Sequence, residues 1–235
     1  ASDFDTAIEN LPTPSTNAND KLIFTNTSSL TQSDMDSLRD ITELVSGIII
    51  NSPFSGGTFT DASVLDNCKI ANGYQAFMYC SNMTTPPTLI FTSDVTTIES
   101  MFMYDTGLTD ISHIFDNSSN LPSAVDMKTC FQGCTGITTI PSNLPFDKCS
   151  KAVDMFKGCT ALVNVPTLAI PTTTEINGFV QNCPNLSDTS LDNVLTMMED
   201  NTSLNSRKRI SRVISSGYGY KARIQNMDSY AICIQ

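Results

Sequence analysis

A single histidine, His113, serves the whole chain of 235 residues, which limits Ser-His-Asp or Cys-His catalysis to one candidate base. The HExxH pattern, the Gly-rich phosphate loop and the paired nucleotide-binding signatures are also missing, and with them the usual sequence marks of metalloproteases, phosphoryl-transfer enzymes and dinucleotide enzymes. The chain therefore reads as a non-enzyme. Charge is sparse at 16% Asp, Glu, Lys and Arg, while 40% of residues are hydrophobic. That composition favours a packed core over wholesale disorder. The longest purely aliphatic run is Ile48-Ile49-Ile50, far short of the roughly 20 residues a transmembrane helix needs. No membrane insertion is expected. Nor does a basic segment followed by an apolar stretch open the chain, so no signal peptide is expected within it, and Ala1 fits either removal of one or loss of an initiator Met.

The charge that is present is unevenly placed. Up to Ser206 there are 23 acidic and 7 basic residues, a balance of −16, whereas 207–235 hold six basic residues against Asp228, a balance of +5. An acidic body repels phosphate backbones, so no nucleic-acid partner is expected. The basic residues Arg207, Lys208, Arg209, Arg212, Lys221 and Arg223 read as the solvated face of a helix, with contact to an anionic partner or to the acidic body as the alternative.

Eight cysteines could suggest a disulfide or metal framework, but Cys-x-x-Cys is absent and Cys130 with Cys134 is the only close pair. Cys80, Cys134, Cys159 and Cys183 recur instead at one phase of an internal repeat. They read as small buried hydrophobes. No metal or cofactor is expected.

The repeat emerges on alignment of Ala76-Phe77-Met78-Tyr79-Cys80, Met101-Phe102-Met103-Tyr104-Asp105, Cys130-Phe131-Gln132-Gly133-Cys134, Met155-Phe156-Lys157-Gly158-Cys159 and Phe179-Val180-Gln181-Asn182-Cys183. The anchors 77, 102, 131, 156 and 180 are 25, 29, 25 and 24 residues apart, a spacing typical of stacked repeats. Apolar residues follow six and nine positions after each anchor: Met83 and Pro86, Leu108 and Ile111, Ile137 and Ile140, Leu162 and Val165, then Leu186 alone. The Leu-x-x-Ile segment reads as a short strand, and the segments 125–131 and 152–156 as one helical or 3₁₀ turn. Asp105, standing where the other copies have Cys, must reach solvent or find donors. One copy alone buries about three large apolar anchors, which cannot offset ordering some two dozen residues, so the copies must stack.

The run Met155-Phe156-Lys157-Gly158-Cys159-Thr160-Ala161-Leu162-Val163-Asn164-Val165-Pro166 resembles the leucine-rich-repeat superfamily, and within it the BspA-type class. The resemblance covers roughly residues 75–187. Departures are Asp105 for Cys, Pro86 for an aliphatic residue, Val180 for Phe and the 29-residue spacing. It implies an α/β solenoid: a short leucine-rich-repeat domain of about five rungs, with strands plus helical or 3₁₀ turns, closed by helical caps at both ends.

Residues 1–20, rich in Ser, Thr, Asn and Pro, read as a flexible arm, either disordered or an attachment segment. Residues 21–74 form the expected N-terminal cap, with a helix carrying Met35, Leu38, Ile41, Leu44 and Val45, Ser33 as N-cap and Gly47 as stop. Residues 75–187 hold the repeats and 188–235 a helical C-terminal cap. There Leu191, Val194, Leu195 and Met198 mark one helix, and Ile210, Val213 and Ile214 a second. The wording of 186–195 resembles the helical ends of leucine-rich-repeat proteins encoded by phages and prophages.

The candidate binding surface is the outer strand face, where Thr85, Asp110, Thr139 and Asn164, with Ser112, form a ladder of hydroxyls, amides and one carboxylate. It is either a strip that binds a glycan or a protein loop or an ordinary polar face of good strand formers. Asp105, Asp110, Asp116 and Asn117 cluster enough to raise calcium, although no known calcium-loop pattern is present and plain turns are the simpler reading. The leading expectation is a non-enzymatic recognition or structural protein of a phage virion surface, in a tail, fibre or capsid-decoration role. Its partners would be other virion proteins or a host-surface glycan or protein, and it could be a homo-oligomer. A secreted bacterial adhesin of the same repeat class, extracellular or on the cell surface, is the alternative. A third reading is an ion-dependent lectin or enzyme using His113 or the Asp105–Asn117 region.

Overall fold

The computed structural model describes residues 21–22, 30–38, 49–50 and 54–199. Every strand pair in it is parallel, and each joins one segment of chain to the equivalent segment roughly two dozen residues later. One sheet runs β1 (Lys21–Leu22), β2 (Ile49–Ile50), β3 (Lys69–Ile70), β4 (Ile90–Phe91), in that order, with Lys21 opposite Ile49, Ile49 opposite Lys69 and Lys69 opposite Ile90. A second joins β5 (Val125–Asp126) to β6 (Cys149–Lys151), with a register shift between Val125 and Asp126. Single parallel bridges add Asp61 to Thr85, Thr97 to Asp126, Thr139 to Asn164 and Lys151 to Glu175.

The aromatic motif is the spine. Phe77 N–H donates to the Met101 carbonyl, Phe102 N–H to Cys130, Phe131 N–H to Met155 and Phe156 N–H to Phe179, at 2.8–2.9 Å. Each copy is thus pinned to the residue just before the next anchor, and Val180 occupies the fifth anchor position. Translation by one strand spacing, about 4.8 Å, lays the rings face to face. Phe54, Phe77, Phe102, Phe131 and Phe156 stack with centroids 5.3–5.5 Å apart and interplanar angles of 16° or less. At the fifth position Val180 leaves the stack, and Phe179 meets Phe156 edge-on at 75°. The apolar residues six and nine after each anchor, Met83 with Pro86 through Leu162 with Val165, are all buried; Leu186 is partly so.

Three features depart from the sequence expectation. The stack begins at Phe54, inside the span expected as cap, and Gly57 there holds the place of Cys. The segments expected as helical turns are chains of tight turns, because each anchor is flanked two residues either side by left-handed backbone. Gln75, Ser100, Thr129, Asp154 and Gly178 precede the anchors, and Gly56, Tyr79, Tyr104, Gly133, Gly158 and Asn182 follow them, all at positive φ. A right-handed helix cannot propagate through that alternation. The Leu-x-x-Ile segments pair through isolated bridges only, while Val125–Asp126 is strand.

A small helix, α1 (Gln32–Ser37), and a longer one, α2 (Asp188–Glu199), lie towards the two ends of the described chain. Thr31, two residues before the expected Ser33, caps α1: its side chain accepts the Asp34 N–H, and Asp34 Oδ2 accepts the Thr31 N–H at 2.7 Å. The Asp three residues into the helix makes that reciprocal box possible. Met35 and Leu38 are buried, whereas 39–48 and Gly47 lie outside the described residues. In α2 the expected Leu191, Val194, Leu195 and Met198 all face the core. The second C-terminal helix, the basic cluster 207–223 and the arm 1–20 lie outside the described residues.

The repeated cysteines do specific work. Each anchor carbonyl accepts the N–H three residues on and also the thiol of the next copy: Cys80 Sγ to Phe54 O, Cys134 to Phe102, Cys159 to Phe131 and Cys183 to Phe156, at 3.0–3.2 Å. All seven described cysteines are buried and free of disulfides. Burial pushes Cys68 and Cys183 up to about 11 and Cys149 to about 12, with Cys80, Cys130, Cys134 and Cys159 raised as well. Asp105 interrupts the series. It neither reaches solvent nor finds donors, being 0% exposed with no hydrogen-bond partner on either carboxylate oxygen. Burial pushes its carboxyl up to about 9, so it is neutral at pH 7.

Two outcomes follow. In the native chain at pH 8 at most one thiol, Cys233, reacts with a disulfide reagent before global unfolding; rapid titration of two or more contradicts the buried ladder. Asp105→Cys restores the missing thiol-to-carbonyl bond and raises stability by about 1–3 kcal/mol near pH 4, the usual cost of a buried unsatisfied polar group, and by more at neutral pH. The sign with pH is set by a folded value near 9 against an ordinary 3.8. The folded state holds a proton that the unfolded state has released, so the contribution is complete below about 4 and is lost as pH rises through about 9, at a slope on the order of 1 kcal/mol per pH unit. Urea midpoints at pH 5 and 8 check this: the native chain loses more stability over that interval than Asp105→Cys does, and the opposite order means Asp105 is ionised and partnered.

Candidate functional site

The five residues expected on the outer strand face are only partly brought together. Thr139 and Asn164 are opposite one another in a parallel bridge, both exposed, and Asn164 Nδ2 donates to Thr139 Oγ1 at 3.2 Å. Thr85 pairs with Asp61 in the preceding copy. Asp110 and Ser112 take part in no bridge among the described residues; the Ser112 N–H donates to Asp110 Oδ1 at 2.8 Å and closes a local turn. That bond holds the Asp110 carboxyl below the usual carboxylate range. The break has a physical cause. The long copy between anchors 102 and 131 uses its extra residues to bury Ile114, Phe115 and Leu121. Phe115 stacks on Phe91 at 5.0 Å, and Asn117 bridges to Ile90, so this copy is not a direct continuation of the Thr139 to Asn164 ladder.

Thr139 and Asn164 instead form one wall of a groove of about 530 Å³ whose other wall is the start of α2. Ile140, Val165, Pro141 and Pro166 give it apolar surface, and Ser187, Thr189, Ser190 and Asn193 supply hydroxyls and an amide. No charged side chain lines it. The helix is fastened by polar bonds from its first turn. Ser187, directly before α2, accepts the Ser190 N–H at 3.2 Å in an N-cap arrangement. The buried Ser190 hydroxyl accepts the Val165 N–H and donates to the Val163 carbonyl, each at 2.8 Å. Asn193 Nδ2 donates to the Val165 carbonyl at 2.9 Å. The spacing of Ser187 and Ser190 at a helix start was the available signal for this wall, but its position over the strand follows from packing.

The other candidates do not converge. His113 donates its Nε2–H to the Pro86 carbonyl at 2.9 Å, a bond to the preceding copy's backbone. Asp116 accepts from Asn143 Nδ2 at 3.1 Å, Asn117 donates to Asn67 Oδ1 at 3.4 Å, and Asp105 is in the core. Among the described residues no group of three or more His, Cys, Asp or Glu could hold a metal ion, and Cys130 and Cys134 are both buried free thiols. A second hollow, of about 380 Å³, is charged: Lys128, Lys151, Asp154 and Glu175 line it, and Lys128 and Lys151 close on Glu99 and Asp126 at 3.2 and 3.3 Å. Among the described residues no helix is long and apolar enough to cross a membrane.

Ser190→Ala leaves the buried Val165 N–H without its acceptor and is expected to cost about 1–3 kcal/mol in urea unfolding. The exposed neighbour substitution Thr189→Ala changes stability by no more than about 0.5 kcal/mol, and equal effects of the two would remove Ser190 as the fastening residue. Searches of protein-family models, curated proteins and solved structures find no match to the chain.

Proposed function

We propose that this chain is a non-catalytic recognition module, a leucine-rich-repeat-like solenoid of the phage virion surface that holds a host-surface glycan or protein loop in the groove between its outer strand face and the C-terminal helix. The observation that carries this reading is the pairing of Thr139 and Asn164 on one wall of an uncharged groove of about 530 Å³. Such a lining suits a neutral, hydroxyl- or amide-bearing ligand, because hydroxyls and amides both donate and accept, while the proline and aliphatic surface covers a ligand's apolar face. The non-catalytic part is supported by the engagement of the only histidine with a backbone carbonyl. The virion setting comes from the repeat wording and the helical end. The chain's acidity, net −11, disfavours an anionic ligand at this surface.

Surface plasmon resonance of the chain against immobilised bacterial cell-envelope polysaccharides and intact envelopes tests the groove. Thr139→Ala with Asn164→Ala is expected to weaken binding at least tenfold while changing stability by less than about 1 kcal/mol, since their mutual hydrogen bond is exposed. Binding that is indifferent to this double substitution sinks the groove as the recognition surface.

A further inference from the structure

Tyr79 and Tyr104 stand at a backbone position that neighbouring copies give to residues suited to left-handed conformation. Two residues after the anchor the other copies have Gly56, Gly133, Gly158 and Asn182, and both tyrosines adopt the same geometry at φ 65°. A bulky residue there is strained, and the frame does not ask for it, because the equivalent N–H groups donate to the next copy whether the residue is tyrosine or glycine: Tyr79 to Met103, Tyr104 to Gln132, Gly133 to Lys157 and Gly158 to Gln181, at 2.7–2.9 Å. Nor are the rings sunk in the core, since Tyr79 is 51% and Tyr104 36% exposed.

The rings are nonetheless ordered against each other and against the frame. They stack with centroids 5.1 Å apart and planes 13° from parallel. The Tyr104 ring then lies over Gly133, where a Cβ would run into it, and Gln132 Nε2 donates to the Tyr104 hydroxyl at 3.3 Å. Beyond this, Gly158 is open, with only the Gly133 backbone at van der Waals distance from a Cβ placed there. The result is a fixed two-ring shelf that ends in a side-chain-free step. Charge is sparse around it, the nearest along the stack being Lys157, beside the Gly158 step, which pairs with Asp154 at 3.5 Å. Ser81, Thr106 and Thr135, each two residues further along, are exposed, and 70–93 and 129–146 contain no Asp, Glu, Lys or Arg. Asp105, the acid beside Tyr104, is buried.

We propose that Tyr79 and Tyr104 form a second binding site, separate from the groove, for a neutral saccharide whose C–H face packs on the rings while its hydroxyls meet the flanking Ser and Thr. Pre-ordered aromatic surface loses little side-chain freedom on binding. The stretches 70–93 and 129–146 are free of charge in a chain of net −11, and the neighbouring Lys157 is paired with Asp154, which selects against an ionic ligand and suits an uncharged, hydroxyl-rich one.

The geometry supplies its own control. Tyr79→Gly with Tyr104→Gly installs the residue already used at Gly56, Gly133 and Gly158, so the backbone is kept while the rings are lost. Affinity electrophoresis of the full chain through gels containing barley β-glucan, galactomannan or xylan is the measurement, with the melting temperature of each variant alongside. At least one neutral polysaccharide should retard the native chain, the double glycine variant should lose that retardation at least tenfold, and Tyr79→Phe with Tyr104→Phe should keep most of it. The Thr139→Ala and Asn164→Ala variant should keep it too, which separates this site from the groove. Failure of all three polysaccharides to retard the native chain overturns the proposal, and so does retardation that survives in the double glycine variant. Self-association in sedimentation velocity that disappears with the rings, without polysaccharide retardation, overturns it in favour of a second copy of the chain.

Discussion

The backbone bond from each aromatic anchor to the residue just before the next one is the constraint on which the rest depends. Phe77, Phe102, Phe131 and Phe156 all make it within a spread of 0.1 Å, and a donor held that tightly fixes both the register and the spacing of successive copies. Once the spacing is one strand separation, side chains at equivalent positions must either stack or interdigitate. Aromatic rings can do the first, and five of them do. The same spacing brings each thiol within reach of the preceding anchor's carbonyl, which has one lone pair left after binding its own turn. Cysteine is small enough to sit beside the ring and polar enough to use that lone pair, whereas an aliphatic residue of similar size would leave it empty. Four of the seven described cysteines are thereby accounted for by packing and weak hydrogen bonding, while Cys68, Cys130 and Cys149 are buried at other positions of the copies.

Asp105 shows how narrow this requirement is. A carboxyl fits the volume, but neither of its oxygens has a hydrogen-bond partner, and burial keeps it protonated. Burial, the same cause, raises the thiols of its neighbours Cys80, Cys130 and Cys134. The core therefore tolerates one titratable defect because a neutral carboxylic acid is a modest polar burden, whereas a carboxylate there would be far more costly. The ladder on either side remains intact.

Much of the stack was legible in the sequence because inward residues recur with the period of the backbone bonds. Val180 could be placed as an anchor despite not being Phe, since its offset to Cys183 matched. Phe54 could not, because Gly57 removes the cysteine that identifies the motif. The left-handed turns were hidden for a different reason: Gly133 and Gly158 hint at them, but Tyr79, Tyr104 and Thr129 are residue types that ordinarily avoid positive φ. Thr31 and Ser33 each have an acid three residues later, Asp34 and Asp36, so the sequence could not choose between them; the structure closes the reciprocal box at Thr31 and Asp34. For the candidate site, Thr139 and Asn164 share a face because alternation along the strand is local, yet Asp110 and Ser112 were drawn off by the burial of Phe115, a long-range packing event. The α2 wall was invisible in the same sense: Ser190 is an unremarkable helix residue until its hydroxyl is found between the Val163 carbonyl and the Val165 N–H.

A stack of this kind divides its residues into two classes with different freedom. Anchors, thiols and the apolar residues six and nine positions on are set by neighbours above and below, so changing one disturbs three copies. Outward positions answer only to solvent and can differ from copy to copy without cost to the frame. Where such a position keeps to what its backbone prefers, as Gly133 and Gly158 do, nothing beyond the frame is needed to explain it. Tyr79 and Tyr104 go against that preference at about 1–2 kcal/mol each, while the stacking between them contributes about 0.5–1.5 kcal/mol beyond the area they cover. The polar pair Thr139 and Asn164 makes a weaker case by the same measure, since threonine suits a bridge position without any ligand. What singles that pair out is the helix packed opposite it, which converts an ordinary polar rung into one wall of a groove. Departures from the repeat, judged against what the backbone alone would choose, are thus the places in this molecule where recognition has physical room to reside.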